Sequence, residues 1–204
     1  MKLLVATNNR GKLAEMRTLL NLPGLELVTP LEAGLPADFD VEETGTTFEE
    51  NAILKAVQYA QATHLPALAD DSGLEVEALD GQPGVYSKRF AGEDKTDQYR
   101  IDFLLAKLPA DLPEGALTAR FVAAVAFANP AGEVLKIEKG FCEGHITRHQ
   151  RGTNGFGYDP IFVVNAVNRT MAELSAAEKD LYSHRGDGVT RIRPFIEQYL
   201  KSQI

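Results

Sequence analysis

The chain lacks most of the features that would take it out of the ordinary globular class. Cys142 is the one cysteine, so no internal disulfide can form and a reducing compartment is expected. It lies in an alternating apolar-polar run, where a buried structural thiol is the expectation rather than a nucleophile. No stretch of about 18 apolar residues occurs, so no transmembrane helix is expected. Met1 to Thr7 is too short in apolar length for a signal peptide, and the expected location is cytoplasmic. No Lys/Arg run is present to offset a net charge of -8, which argues against a nucleic-acid partner. A small phosphate ligand stays open, because a few aimed donors outweigh a global charge screened beyond about 8 to 10 Å. His64, His145 and His149 have no cysteine or carboxylate at metal-ligand spacing, which speaks against zinc. The absence of a Gly-x-Ser-x-Gly motif weakens any acyl-transfer reading.

What is present is the composition of a water-soluble domain: 204 residues, 44% hydrophobic and 25% charged. There is no repeat, low-complexity tract or long linker, so one domain spanning 1–204, built as two joined lobes, is expected. Leu3 to Ala6 reads as a buried strand. The polar turn Thr7 to Gly11 follows, and then a helix carrying Leu13, Met16, Leu19 and Leu20. Leu25 to Val28 is a second strand, and Pro30 to Asp40 a loop. Thr47 and Glu50 stand at capping-box spacing ahead of a helix from Phe48 to about Thr63.

Pro66 to Ala69 reads as a strand ending at Asp70-Asp71-Ser72-Gly73, with Leu74 to Ala78 alternating as a further, half-exposed strand. Ile101, Leu104, Leu105 and Leu108 mark a helix. Thr118 to Ala128 and Val134 to Ile146 flank a turn as a long hairpin, expected in the lobe that does not hold the N-terminal strand. Ser175 and Glu178 form a second capping-box pattern. The last helix carries Val189, Ile192, Ile196, Tyr199 and Leu200, with Pro194 expected to kink it or delay its start. The fold class is α/β, a mixed twisted sheet with flanking helices and two lobes around a central cleft.

Four segments could carry chemistry. Thr7-Asn8-Asn9-Arg10-Gly11-Lys12 sits where a strand turns into a helix, a place that aims backbone N–H groups and a lysine at an anion. The same residues would also serve as an ordinary polar turn. Asp70-Asp71-Ser72-Gly73 puts two acids at a strand end, where α/β folds bind ligands and buried charge calls for a cation. The pairs Glu42-Glu43 and Glu49-Glu50 add carboxylates of the kind Mg2+ takes one or two of. Asn154 to Phe162 brackets Phe156 with Gly155 and Gly157, so that an aromatic face could stack on a base and Asp159 could accept from ring N–H groups; a tight turn with core aromatics is the alternative. Ser183-His184-Arg185-Gly186 gathers donors, although such a pair commonly serves helix-end carbonyls.

In this order the motifs resemble the inosine/xanthosine triphosphate pyrophosphatase family, house-cleaning hydrolases of deaminated purine nucleotides, over nearly the whole chain. The strongest segments are Thr7 to Lys12, Thr47 to Ala56, Ala69 to Leu74, Gly155 to Phe162 and Ser183 to Gly186. The resemblance implies a homodimer that hydrolyses ITP, dITP and XTP to the monophosphate and pyrophosphate with Mg2+. It implies Asp71 as general base and metal ligand, and Glu42 as the second metal carboxylate. By the same resemblance Thr7, Asn8, Asn9, Arg10, Gly11, Lys12 and Ser72 hold the phosphates. Phe156, Gly157, Tyr158, Asp159, Lys179, His184 and Arg185 hold the nucleoside. The chain departs from the family at Asn8, where glycine is usual, so Asn8 must tolerate glycine's backbone shape, and at Lys88, where alanine is frequent. Other readings are a nucleotide sensor without turnover, a related pyrophosphatase for modified pyrimidine or methylated nucleotides, and a nucleic-acid binder, which the charge disfavours.

Overall fold

The computed structural model describes residues 1–202. Among the described residues, seven strands and five α-helices follow in the order β1 (Lys2–Val5), α1 (Arg10–Leu19), β2 (Glu26–Val28), α2 (Phe48–Thr63), β3 (Ala67–Val76), α3 (Asp97–Lys107), β4 (Thr118–Ala128), β5 (Val134–Ile146), β6 (Phe162–Val164), β7 (Arg169–Thr170), α4 (Ala176–Tyr182) and α5 (His184–Ser202). The strands form one mixed sheet in the order β2-β1-β3-β4-β5-β6-β7. β1 runs parallel to both β2 and β3, while β5-β6 and β6-β7 are antiparallel, so the α/β expectation holds.

The chain divides into two compact units. The first comprises Met1–Asp71, Ala123–Gly140 and the chain from Arg185; the second comprises Ser72–Val122 and Phe141–His184. In the first, Leu3, Val5, Met16, Leu20, Leu68, Val125, Phe127, Val189, Ile192 and Ile196 form the buried core. Met16, Leu20, Val189, Ile192 and Ile196 are among the apolar residues that the sequence placed on the first and last helices. α2 is fixed at its start by a reciprocal capping box: Thr47 Oγ1 accepts from Glu50 N at 3.2 Å, and Glu50 Oε2 accepts from Thr47 N at 3.2 Å. It stops at His64, which takes a left-handed conformation with φ 55° two residues before Pro66.

The second unit has its own core, in which Leu74, Val76, Ile101, Leu104, Leu117, Phe121, Cys142, Ile146, Phe162 and Met171 are buried together. α3 is capped by Thr96, whose Oγ1 accepts from Tyr99 N at 3.2 Å, and α4 by the box of Ser175 and Glu178. Burial pushes the Cys142 thiol up to about 12, with the charges of Glu143 and Asp159 adding to it. At pH 8 it therefore stays protonated and unreactive. Alkylation by iodoacetamide is expected to run at least about a hundredfold slower in the folded protein than in denaturant, as read by mass spectrometry; labelling at equal rates would contradict the burial.

Three expectations change. The acids do not end a strand: Asp70 and Asp71 lie inside the ten residues of β3, which then gives way to a short 3-10 turn, Glu77–Leu79. The β4-β5 hairpin does not belong to a single unit, since Ala123–Gly140 falls in the unit of the N-terminal strand. Its strands are long enough to serve two cores. Pro194 does not delay the final helix, which begins at His184 and contains the proline.

Candidate active site

Alternate residues of a strand face opposite sides, so adjacent Asp70 and Asp71 meet different partners. Asp70 Oδ2 accepts from Lys12 Nζ at 3.0 Å, and from Arg185 Nε at 3.1 Å and Nη2 at 3.0 Å. Arg185 Nη1 donates to Glu15 on α1. The Asp70 and Arg185 side chains are each 1% exposed, so this is a buried ion network tying β3, α1 and α5 together. Burial alone would raise the Asp70 carboxyl, but the Lys12 and Arg185 charges prevail and hold it well below the usual carboxylate range.

Asp71 faces α2. Its Oδ1 accepts from Lys55 Nζ at 3.0 Å and its Oδ2 from Asn51 Nδ2 at 3.3 Å. Lys55 also donates to Glu43 Oε1 at 2.7 Å, so one ammonium is shared by two carboxylates. Burial raises the Asp71 carboxyl, Lys55 opposes that, the Glu43 charge adds to it, and the net direction is upward. Lys55 moves upward too: burial lowers it, yet the attraction of Asp71 and Glu43 outweighs burial and keeps it cationic. The result is a buried carboxylate of enhanced basicity held at a fixed position, the property a general base needs.

The turn before α1 is self-bonded. Asn9 Oδ1 caps the helix, accepting from Gly11 N at 2.8 Å and Lys12 N at 3.1 Å, and Thr7 Oγ1 accepts from Asn9 N at 3.2 Å. The backbone amides of Asn9, Gly11 and Lys12, expected to point at an anion, thus already serve the turn. Asn8 is absent from the left-handed residues, so no glycine-like shape is asked of it; its Nδ2 donates to Phe39 O at 3.1 Å. Arg10 is exposed at the first position of the helix.

In the second unit, Ser72 continues β3 and is half-buried. Gly155 and Gly157 bracket Phe156 with φ 78° and 61°, the left-handed region that glycine enters without strain. A Cβ on Gly155 would stand 2.0 Å from Asp159 Oδ2. That oxygen accepts from Phe156 N at 2.9 Å and from Lys179 Nζ at 2.7 Å, and the same ammonium lies 4.5 Å from the centre of the Phe156 ring. Loop, acid, lysine and aromatic are therefore one assembly. Tyr158 is buried, and its hydroxyl donates to Ser87 O at 3.0 Å; burial pushes that phenol up to about 12, so the side chain anchors the loop. His184 is buried and stacks on Phe121, centroids 4.8 Å apart and planes 15° from parallel.

Two expected site residues have surroundings that the sequence did not announce. Each of the three guanidinium nitrogens of Arg185 is bonded to a carboxylate, so the side chain is part of the buried ion network. Glu42 is exposed, whereas its neighbour Glu43 shares Lys55 with Asp71. Sequence reasoning assigned no role to Glu15, Asn51 or Lys55, and of the Glu42-Glu43 pair it singled out Glu42. A signal for two of them was there: Asn51 and Lys55 are four apart on α2, beside the buried Ala52 and Ala56, where a polar pair calls for buried partners. Among the described residues no group of three or more His, Cys, Asp or Glu could hold a metal ion.

The family model described as the Ham1 family matches residues 3–195. A protein of Exiguobacterium sibiricum named dITP/XTP pyrophosphatase is 48% identical over 200 residues, covering 98% of this chain and 99% of its own. The Bacillus subtilis protein of the same name is 44% identical over 194 residues, covering 95% and 96%. The solved structure of a HAM1 protein from Coxiella burnetii is similar with a TM-score of 0.86 at 43% identity, covering 97% of this chain and 99% of that one. With its sheet order, its buried acids and these likenesses agreeing along nearly the whole length, the chain belongs to the Ham1 family.

Proposed function

We propose that this chain is a nucleoside triphosphate pyrophosphatase that hydrolyses dITP, ITP and XTP to the monophosphate and pyrophosphate. Its relatives' name, dITP/XTP pyrophosphatase, supports the substrate class. The observation that carries the chemistry is the buried Asp71 carboxylate, raised in basicity yet fixed between Lys55 and Asn51. Asp71 takes a proton from water as the water oxygen bonds to the α-phosphorus. The bond from that phosphorus to the bridging oxygen breaks, and pyrophosphate leaves. Lys12 and Lys55 supply positive charge for the phosphate chain, with Thr7 to Gly11 and Ser72 as further contacts.

Mg2+ fits the donor set, because it takes one or two carboxylates and completes its shell with phosphate oxygens and water, which needs no three-ligand protein cage. Asp71 with a carboxylate of the Glu42-Glu43 pair would hold it. Bound there, Mg2+ would draw charge from the phosphate oxygens and orient the chain. Base recognition is assigned to Phe156 through Asp159, Lys179 and His184. A 6-oxo purine accepts a hydrogen bond where adenine offers an amino donor, and a donor-lined site that leaves its groups unpaired against adenine discriminates by roughly 10⁴ in favourable cases. A homodimer, which rests on the family resemblance, and a cytoplasmic location, which rests on the single cysteine, belong to the same proposal; among the described residues no helix is long and apolar enough to cross a membrane.

The test is pyrophosphate release with Mg2+ from ITP, XTP, dITP, GTP and ATP. The 6-oxo, non-guanine substrates are expected to exceed ATP in kcat/KM by roughly 10³ or more. Equal rates on ATP would refute the assigned specificity, and no release from any of them would refute the activity.

A further inference from the structure

Two consecutive peptide N–H groups in the Gly155-to-Asp159 loop are held by carboxylates. One hold is local: Phe156 N donates to Asp159 Oδ2 at 2.9 Å. The other comes from a distant part of the chain, since Gly157 N donates at 2.7 Å to Oδ2 of Asp97, 60 residues away at the first position of α3. Asp97 is itself braced. Its Oδ1 accepts from Arg100 Nη1 one turn along the helix, and Thr96 caps that helix start. The Arg100 side chain is 15% exposed against 46% for Asp97, so the brace reaches inward from a carboxylate open to water on one side.

The geometry points to Asp97 as a positioning residue for the nucleoside end of the site, a role that rests on the reading of Phe156 as the base platform. Gly155 and Gly157 give the loop two residues of wide backbone freedom on either side of the aromatic. Asp159 removes that freedom before the ring and Asp97 removes it after the ring. Phe156 is left only its own side-chain torsions. Without Asp97 the Gly157 amide turns to water, and the loop samples conformations in which the ring is not presented. The fraction of binding-competent molecules falls, and apparent affinity for the nucleoside falls by the same factor. Chemistry at the phosphate end is untouched, because Asp97 meets no reacting atom.

The experiment compares wild type, Asp97→Ala and Asp97→Asn in Mg2+-dependent ITP hydrolysis, in inhibition by inorganic tripolyphosphate, and in hydrogen exchange of the Gly157 amide. Asp97→Ala is expected to raise KM for ITP about tenfold, the value of a hydrogen bond to a charged group, with kcat within about twofold and tripolyphosphate inhibition unchanged. Gly157 exchange should quicken by a similar factor. Asp97→Asn keeps one oxygen able to accept from Gly157, and its KM should fall between the two. A wild type inactive on ITP overturns the nucleoside reading, and this role with it, before any variant is compared. An active wild type overturns the role alone if Asp97→Ala leaves KM or Gly157 exchange unchanged, if kcat and tripolyphosphate inhibition decline along with KM, or if Asp97→Asn is no better than the alanine variant.

Discussion

An Asp71→Asn enzyme is expected to keep its fold and its nucleotide and to lose its turnover, with kcat on ITP lower by about 10² to 10⁴, the range of a positioned general base. The amide is the size of the carboxylate and can still accept from Lys55, and Lys55 keeps Glu43 as a counter-ion at 2.7 Å, so no buried charge is left alone. What disappears is the site that takes the proton. Because the proton transfer develops in the transition state, kcat should fall by far more than the Kd of a non-hydrolysable ITP analogue rises, although the variant also loses one of the carboxylates proposed for Mg2+. If turnover in Asp71→Asn stays near that of wild type, the base lies elsewhere. If the analogue no longer binds while the melting temperature holds, Asp71 is a binding group first.

Asp70→Asn, one residue along the same strand, is expected to do the reverse and damage stability above all. Asp70 neutralises two cations in the interior, Lys12 at 3.0 Å and Arg185 at 3.0 Å. Removing one partner of a buried ion pair leaves uncompensated charge and costs about 3 to 5 kcal/mol. Urea denaturation of both proteins would measure it. The pH dependence follows from the lowered carboxyl. A depressed folded value means the contribution is present above the unfolded value, about 3.9, and is lost as pH falls through the folded one. The gap between wild type and Asp70→Asn should therefore hold from pH 8 to about pH 5 and shrink only below about pH 4. A gap that closes between pH 7 and 5 would mean that Asp70 is not held low by its cations.

The contrast between these neighbours shows what the chain alone makes legible. Features fixed by local chemistry were readable: the Thr47-Glu50 box starts α2, and the segments Thr118 to Ala128 and Val134 to Ile146 flanking the Asn129 to Gly132 turn are strands with those bounds. The reach of β3 through Asp70 and Asp71 was not. Two adjacent acids read as a strand end because nothing beside them in the sequence compensates them. Lys12 and Arg185, which compensate Asp70, and Lys55, which compensates Asp71, come from other elements, Arg185 from 115 residues away. The same distance hid the use of the Arg185 guanidinium, which reads as a free donor until Asp70 and Glu15 are placed around it. At the Glu42-Glu43 pair, which acid turns inward depends on the backbone of an irregular segment, and no periodicity announces it. Tyr158 and Asp97 are similar cases, since each hydrogen bond that defines them joins residues brought together only by folding.

The most direct test of the account is to separate the products of ITP hydrolysis by anion exchange, in wild type and Asp71→Asn, with Mg2+ present. The account predicts IMP and pyrophosphate in equal amounts from wild type and almost none of either from the variant. IDP with orthophosphate, or undiminished IMP from Asp71→Asn, would contradict it.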